Sequence, residues 1–228
     1  MINKAINWYM ISPSDIEYEL TKKIKKGEIY LKYPFDSLAD WIMNNYGVRP
    51  INIIYDLLPH DKRPRLQVIF ERITEHGLFT SKNGLFPDKL IEEQILGHFV
   101  QMTSDLSDFN TDNIFLVISS FEKVAKEEVN SLIPIYDVES IKNKVDFEIW
   151  EIKKNFNSAT FFFYTDKQVD NYSKDGISKR KLKDLYFDLL KKYDEFNYLN
   201  RDDFDISFDS KENFDNNFES NWFYYSRG

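Results

Sequence analysis

The order of apolar patterns repeats along this chain of 228 residues, and the repetition constrains the fold more than any single motif does. Each half has two short strand-like runs, followed by a helical pattern, a strand, a helix and a last apolar run. When the first half of the sequence is aligned with the second half at one constant offset, five apolar positions match. These pairs are Ile91 with Leu185, Ile95 with Leu189, Leu96 with Leu190, Phe99 with Tyr193 and Met102 with Phe196. We infer that the two halves share one arrangement, as an internal duplication would produce.

This pattern predicts an α+β protein with two similar units. Each unit has the order helix, strand, strand, helix, strand, helix, strand, and its sheet is expected to be mainly antiparallel with helices on one face. The N-terminal unit covers residues 1–136 and has an extra leading helix, and the C-terminal unit covers residues 137–228. The last strands of the two units are predicted at residues 132–136 and 221–226.

Charge and composition exclude several classes of function. The formal net charge is −8, which argues against sequence-independent binding to nucleic acid because phosphates need a basic surface. The sequence has no cysteine, which excludes disulfides and thiolate metal sites. The first residues do not resemble a secretory signal, and no run of about 18 apolar residues could span a membrane. We therefore predict a cytoplasmic protein that binds neither nucleic acid nor a membrane.

No motif with a catalytic or cofactor-binding mechanism stands out. The three histidines, His60, His76 and His98, do not have a zinc-binding spacing, and neither a phosphate-binding loop nor a dinucleotide fingerprint occurs. We therefore predict no catalytic residue, no metal ligand and no cofactor, and we expect the protein not to be an enzyme.

One pattern supports an alternative. Asp137, followed by Glu151 and Lys153, resembles the arrangement of metal-dependent nucleases, in which two carboxylates hold Mg²⁺ and a lysine steadies the attacking water. A Glu-x-Lys triplet also arises by chance in a chain with 38 acidic and 30 basic residues. A nuclease, or a structural or scaffold protein, therefore stays as the alternative function.

The final segment, residues 203–228, combines acidic residues with large aromatic ones. The acids are Asp203, Asp205, Asp209, Glu212, Asp215 and Glu219, and the aromatic residues are Phe204, Phe208, Phe214, Phe218, Trp222, Phe223, Tyr224 and Tyr225. Acidic surfaces attract basic partners, and tyrosine and tryptophan are favoured interface anchors. The segment therefore predicts a surface that binds a basic protein.

The second half resembles the small, acidic YezG-type immunity proteins of bacterial toxin systems. The likeness lies in an aromatic strand at residues 159–165, a helix at 182–190, the triplet 208–210 and the aromatic run 222–225. The resemblance implies that the protein inhibits a cognate toxin by binding it, without catalysis.

We therefore predict a non-catalytic immunity or antitoxin-like inhibitor that blocks a basic toxin domain in the bacterial cytoplasm. The residues predicted to bind this partner are Asp209, Glu212, Asp215, Glu219, Trp222 and Tyr224. If the run 222–225 forms a strand, alternate side chains of this run face the core instead.

Overall fold

A computed structural model describes residues 11–82, 86–155 and 158–227 of the chain. The chain divides into two compact units, Met1–Val124 and Ala125–Gly228, with a boundary that lies before the one predicted at Asp137. Each unit combines helices with a three-stranded sheet, so the prediction of an α+β fold is confirmed. In the described part of the chain, no helix is both long and apolar enough to cross a membrane.

In residues 11–82 and 86–120, two helices precede the sheet of the first unit and two lie between its second and third strands. Its elements are α1 (Ile16–Lys25), α2 (Phe35–Tyr46), β1 (Asn52–Leu57), β2 (Pro64–Phe70), α3 (Ile73–Leu78), α4 (Lys89–Thr103) and β3 (Phe115–Ser120). Helix α2 ends at Gly47, whose φ of +76° is a left-handed conformation that glycine adopts without strain. Helix α4 begins where the Asp88 carboxylate accepts hydrogen bonds from two backbone N–H groups of its first turn.

The first sheet has the strand order β1-β2-β3, with β1 antiparallel and β3 parallel to the central strand. One face, which we call the core face, carries Ile53, Val68 and Ile118, and these side chains pack against α2 and α4. Because side chains alternate along a strand, the opposite face, called the second face below, carries Asn52, Ile69 and Ser119 in one row.

The second unit begins within helix α5 (Phe121–Leu132), because the boundary between the units lies after Val124. The later elements are α6 (Ile135–Glu139), a 3₁₀ helix (Ser140–Lys144), β4 (Glu151–Lys154), β5 (Ala159–Phe163), α7 (Asp166–Asp175), α8 (Ile177–Lys191), β6 (Ile206–Ser210), α9 (Lys211–Phe218) and α10 (Trp222–Tyr225).

The second sheet has the same topology, with the order β4-β5-β6, an antiparallel first pair and a parallel second pair. Both sheets are therefore mixed, whereas the sequence predicted mainly antiparallel sheets, because a pair of helices connects the central strand to the third strand as a crossover. The core face carries Ile152 and Phe161, and the second face carries Glu151, Phe162 and Asp209. Every residue of β5 is buried, so both faces of this sheet are covered, where helices were predicted on one face.

The predicted strand at residues 132–136 is wrong. Helix α5 continues to Leu132, and α6 begins after Pro134, which occupies the N-cap position with an extended backbone. Proline fixes its own φ and lacks an N–H donor, and both properties are compatible with the start of a helix. The break in the apolar run therefore marks a helix start and not an edge strand.

The predicted strand at residues 221–226 is also wrong. The Asn221 side chain accepts a hydrogen bond from the N–H of Phe223 at 2.9 Å and so caps helix α10. The aromatic residues of the run favour strands by propensity, but this cap and the contacts of their rings make the run helical.

Each unit also contains one hydrogen bond that has an equivalent in the other unit. Glu122 accepts a bond from the N–H of Ile73, the first residue of α3, at 3.1 Å. Glu212 accepts the equivalent bond from the N–H of Asp166, the first residue of α7, at 3.0 Å. A carboxylate at a helix N-terminus satisfies a free donor and interacts favourably with the helix dipole. In both units, the second residue after the third strand therefore accepts a hydrogen bond from the start of the first crossover helix.

Candidate functional site

Helices α9 and α10 form the candidate site and pack on the second face of the second sheet. The Phe162 ring on that face lies with its centroid 5.3 Å from the Trp222 ring and 5.2 Å from the Tyr225 ring. The opposite, core side of the same strand carries Phe161, which contacts Tyr186 of α8. The acidic and aromatic segment is thus a structural layer of the unit.

Trp222 is the centre of this layer. Its ring stacks on Phe214 of α9 at 4.2 Å and on Trp150 at 5.9 Å, with interplanar angles of 29° and 11°. The ammonium group of Lys153 lies 4.1 Å from the centroid of the indole, within the range of a cation–π interaction. Trp222 was predicted to contact a partner, but the structure places it against its own sheet.

Local sequence signals position the two helices. The Ser210 hydroxyl accepts a bond from the N–H of Asn213 at 2.8 Å and caps α9. Glu219 and Ser220 then have φ values of +52° and +53°, and these left-handed residues turn the chain between the helices. The Asn221 cap begins α10 immediately afterwards, so the turn between α9 and α10 is short.

Asp209 holds the layer together. One carboxylate oxygen accepts bonds from the Ser210 N–H at 2.7 Å and from the Asn213 side-chain amide at 2.8 Å. The other oxygen accepts a bond from the Tyr225 hydroxyl of α10. Burial and, after it, the bond to Asp209 raise the pKa of the Tyr225 phenol. Asp209, predicted to bind a partner, therefore anchors α10 to β6.

Two further predicted acids also have internal partners. Glu212 bonds to the backbone of α7, as described above. Asp215 pairs with Lys211 one helical turn earlier and accepts a bond from the Ser220 hydroxyl at 2.6 Å. These bonds, with the one from Lys211 as the largest contribution, lower the pKa of the Asp215 carboxyl. The charge of Asp215 is thus largely offset within α9.

Glu219, Tyr224 and Phe223 face outward. The Tyr224 and Phe223 side chains are 48% and 55% exposed, and Glu219 is exposed beside the turn that precedes α10. The Arg227 guanidinium lies 4.0 Å from the centroid of the Phe223 ring. We call Glu219, Phe223 and Tyr224 the outward ridge.

Phe223 is not among the residues that the sequence predicts to bind a partner. Its signal is the helical period: in a single turn, Trp222 and Tyr225 share one side, and Phe223 and Tyr224 occupy the other. Trp150 was also missed as a member of the layer, because only the fold brings it to α10.

The residues of the nuclease alternative have other contacts. The Tyr193 hydroxyl donates to Asp137 at 2.7 Å, and this bond, with burial, raises the pKa of Tyr193 to about 12. The side chains of Glu151 and Lys153 lie 3.6 Å apart on the second face of the second sheet. Within residues 11–82, 86–155 and 158–227, no group of three or more His, Asp or Glu side chains could hold a metal ion.

Comparison with known proteins gives no relative for this chain, because no family model, no curated protein and no solved structure matches it.

Proposed function

We propose that this protein is a non-catalytic immunity-type inhibitor that binds a basic toxin domain through the outward ridge of α9 and α10. One observation carries the proposal. In the four-residue helix α10, Trp222 and Tyr225 pack on the sheet, whereas Phe223 and Tyr224 stay about half exposed. A surface aromatic pair on a fixed support is the kind of anchor that dominates the energy of protein interfaces.

The support of the ridge favours tight binding. The Asp209–Tyr225 bond, the Trp222 stack and the Asn221 cap hold α10 in place before any partner arrives. Ordering a flexible segment costs free energy on association, and a preformed segment avoids that cost. The predicted role of Asp209 and Trp222 therefore changes from direct contact to support, and Phe223 joins Tyr224 in the proposed contact surface.

Charge supports a basic partner. The chain has a net charge of −8, and Glu219 lies exposed next to the aromatic pair. Long-range attraction between an acidic protein and a basic toxin accelerates their encounter, and complementary rim charges improve specificity. Glu212 and Asp215 contribute to the overall field, although their carboxylates have bonds within the unit.

A test uses the product of the reading frame next to the gene of this protein as the probe. We expect that product to slow bacterial growth when expressed alone and to lose this effect when the two proteins are expressed together. We also expect binding to weaken as salt rises, because screening reduces attraction between exposed charges. A neighbouring product that neither slows growth nor binds the purified protein would overturn the proposal.

The same purified protein can be used to test the alternative that the chain is a nuclease. With Mg²⁺ present, the proposed inhibitor should leave DNA and RNA intact. Cleavage that disappears in the Glu151→Ala variant would instead support a metal-dependent nuclease that uses Asp137, Glu151 and Lys153.

A further inference from the structure

A cleft of about 450 Å³ lies between α2 and α4 in the first unit. This volume falls in the range of small-molecule sites. The α4 side of the cleft is one helical face, with Gln94, Gly97, His98 and Gln101 on it, and α2 contributes Trp41. The proposed function leaves this cleft without a role.

Gly97 leaves a bare, solvent-exposed patch on the α4 side of the cleft. It lies in the interior of a 15-residue helix, where glycine is less favourable than alanine. Apart from its chain neighbours and the backbone of its own helix, a Cβ atom built at this position meets no heavy atom within 4 Å. The packing of the protein therefore does not require glycine here, and the missing side chain leaves the helix backbone open to a ligand.

Aromatic rings line the cleft beside Gly97. The imidazole of His98 stacks on the indole of Trp41 with a centroid distance of 4.5 Å and an interplanar angle of 14°. The edge of Tyr46 contacts the same indole at 6.0 Å. Burial lowers the pKa of His98, which favours the neutral imidazole. The stacked rings therefore give the cleft an aromatic wall.

Side-chain amides supply hydrogen-bonding groups around the rings. The Tyr46 hydroxyl donates to Oε1 of Gln94 at 2.6 Å, which orients the Gln94 amide so that its nitrogen can donate to a ligand. The amide nitrogen of Asn45 donates to the Trp41 carbonyl at 2.8 Å, which orients its oxygen as an acceptor. Among the described residues that line the cleft there is no lysine or arginine, and Glu93 adds a negative charge. This composition disfavours anionic ligands.

We propose that the cleft binds a neutral saccharide. A sugar ring has a face of C–H groups that packs on aromatic rings and hydroxyl groups that both donate and accept hydrogen bonds. The aromatic stack, the oriented amides and the uncovered backbone of Gly97 match these requirements together. The inference concerns the first unit alone and does not depend on the proposed toxin partner.

The test is a titration of the full chain with glucose, galactose, mannose and N-acetylglucosamine, followed by NMR. We expect at least one of these sugars to cause saturable shifts of the Gly97 amide and Trp41 indole signals. Glucuronate and glucose 6-phosphate should bind more weakly, because Glu93 repels them. The absence of saturable shifts with all four neutral sugars, or tighter binding of the anions, would overturn the proposal.

Two glycine variants make the test specific. Gly97→Ala puts a methyl group on the α4 side of the cleft and should weaken sugar binding at least about tenfold. Gly77→Ala is the matched control, because Gly77 is also helical and a Cβ atom there also meets no heavy atom within 4 Å. Gln94→Leu keeps the size of the side chain, removes its amide and should also weaken binding. Unchanged affinity in both Gly97→Ala and Gln94→Leu would contradict the proposal.

Discussion

The two sheets have the same topology, but different residues cover their second faces. In the first unit, Asn52 of the row Asn52–Ile69–Ser119 donates to the Thr21 hydroxyl of α1 at 2.8 Å. The buried Ser119 hydroxyl in that row has no hydrogen-bond partner among the described residues. A helix from the N-terminal side of the first unit thus contacts the second face of its sheet.

In the second unit, the equivalent row is Glu151–Phe162–Asp209, and helices from the C-terminal side cover it. Asp209, at the position of Ser119, accepts three hydrogen bonds and through Tyr225 holds α10. Two sheets of the same topology thus present different surfaces where one row of residues differs. An acid in the third strand fixes a helix there, and that helix presents the outward ridge.

The largest expected effect comes from removing the centre of the C-terminal layer. Trp222→Ala should lower the free energy of unfolding by about 3 kcal/mol, because the contacts with Trp150, Phe162 and Phe214 disappear. Urea unfolding followed by circular dichroism measures the change. The neighbouring variant Phe223→Ala is the matched control and should change stability by less than about 0.5 kcal/mol. Equal losses in the two variants would contradict the division of α10 into packed and outward sides.

A smaller effect is expected when the anchor of α10 is removed. Tyr225→Phe should lower the free energy of unfolding by about 1.5 kcal/mol, because the bond to the Asp209 carboxylate is lost. The same unfolding experiment measures this loss. A change within error would show that Asp209 does not anchor the helix.

This variant should also alter the stability of the protein in alkali. The pKa of Tyr225 is raised in the folded protein, whereas the unfolded chain releases this proton near pH 10. The free energy of unfolding is therefore unaffected by this group below pH 10 and falls as the pH rises above it. Tyr225→Phe should make that fall less steep, and Tyr186, whose pKa is also raised, stays in both proteins. Identical slopes in the two proteins would argue against the raised pKa.

The smallest effects test what the two units share. Glu122→Ala and Glu212→Ala each remove the bond to the first N–H of a crossover helix, and each should lower the free energy of unfolding by about 1 kcal/mol. The corresponding glutamine variants keep an acceptor and should lose less. Thermal or urea unfolding gives both values. A loss in one unit alone would show that the shared bond does not have a shared role.

The sequence predicted the central elements well because their signals are local. In each unit, the two short strand-like runs form an antiparallel pair and a helical pattern follows them before the third strand, as the apolar periodicity predicted. The two aromatic-rich or proline-containing runs at the ends of the units were misassigned as strands. Their caps, at Pro134 and Asn221, compete with strand propensity, and the contacts that decide the outcome come from the fold.

The alignment of the two halves shows a second limit. The sequence paired Ile95 of α4 with Leu189 of α8, whereas, counted from the helix starts, the buried residue nearest to the position of Ile95 is Leu182, which lies one residue earlier in its helix. The two pairings differ by two helical turns, which repeat the same apolar pattern. Periodicity therefore identified the equivalent helices without fixing their register.

The composition of the sequence located the candidate site but did not show which of its side chains face outward. The cluster of acids and aromatics identified the segment that forms α9 and α10. Whether Trp222 or Phe223 points outward depends on a helix that was predicted to be a strand, and the partner of Asp209 lies sixteen residues later at Tyr225. Such long-range bonds leave no pattern in the sequence.

The most direct test of the central claim compares the affinity of ridge variants for the neighbouring-frame product. Isothermal titration calorimetry would be applied to the original protein, to Phe223→Ala with Tyr224→Ala, and to Asp170→Ala, which changes an exposed acid outside the ridge, as a surface control. Each ridge aromatic should contribute about 2 kcal/mol, so the double variant should bind about 1,000-fold more weakly while its free energy of unfolding is unchanged. An affinity within about threefold of the original protein would contradict the assignment of the outward ridge as the binding surface.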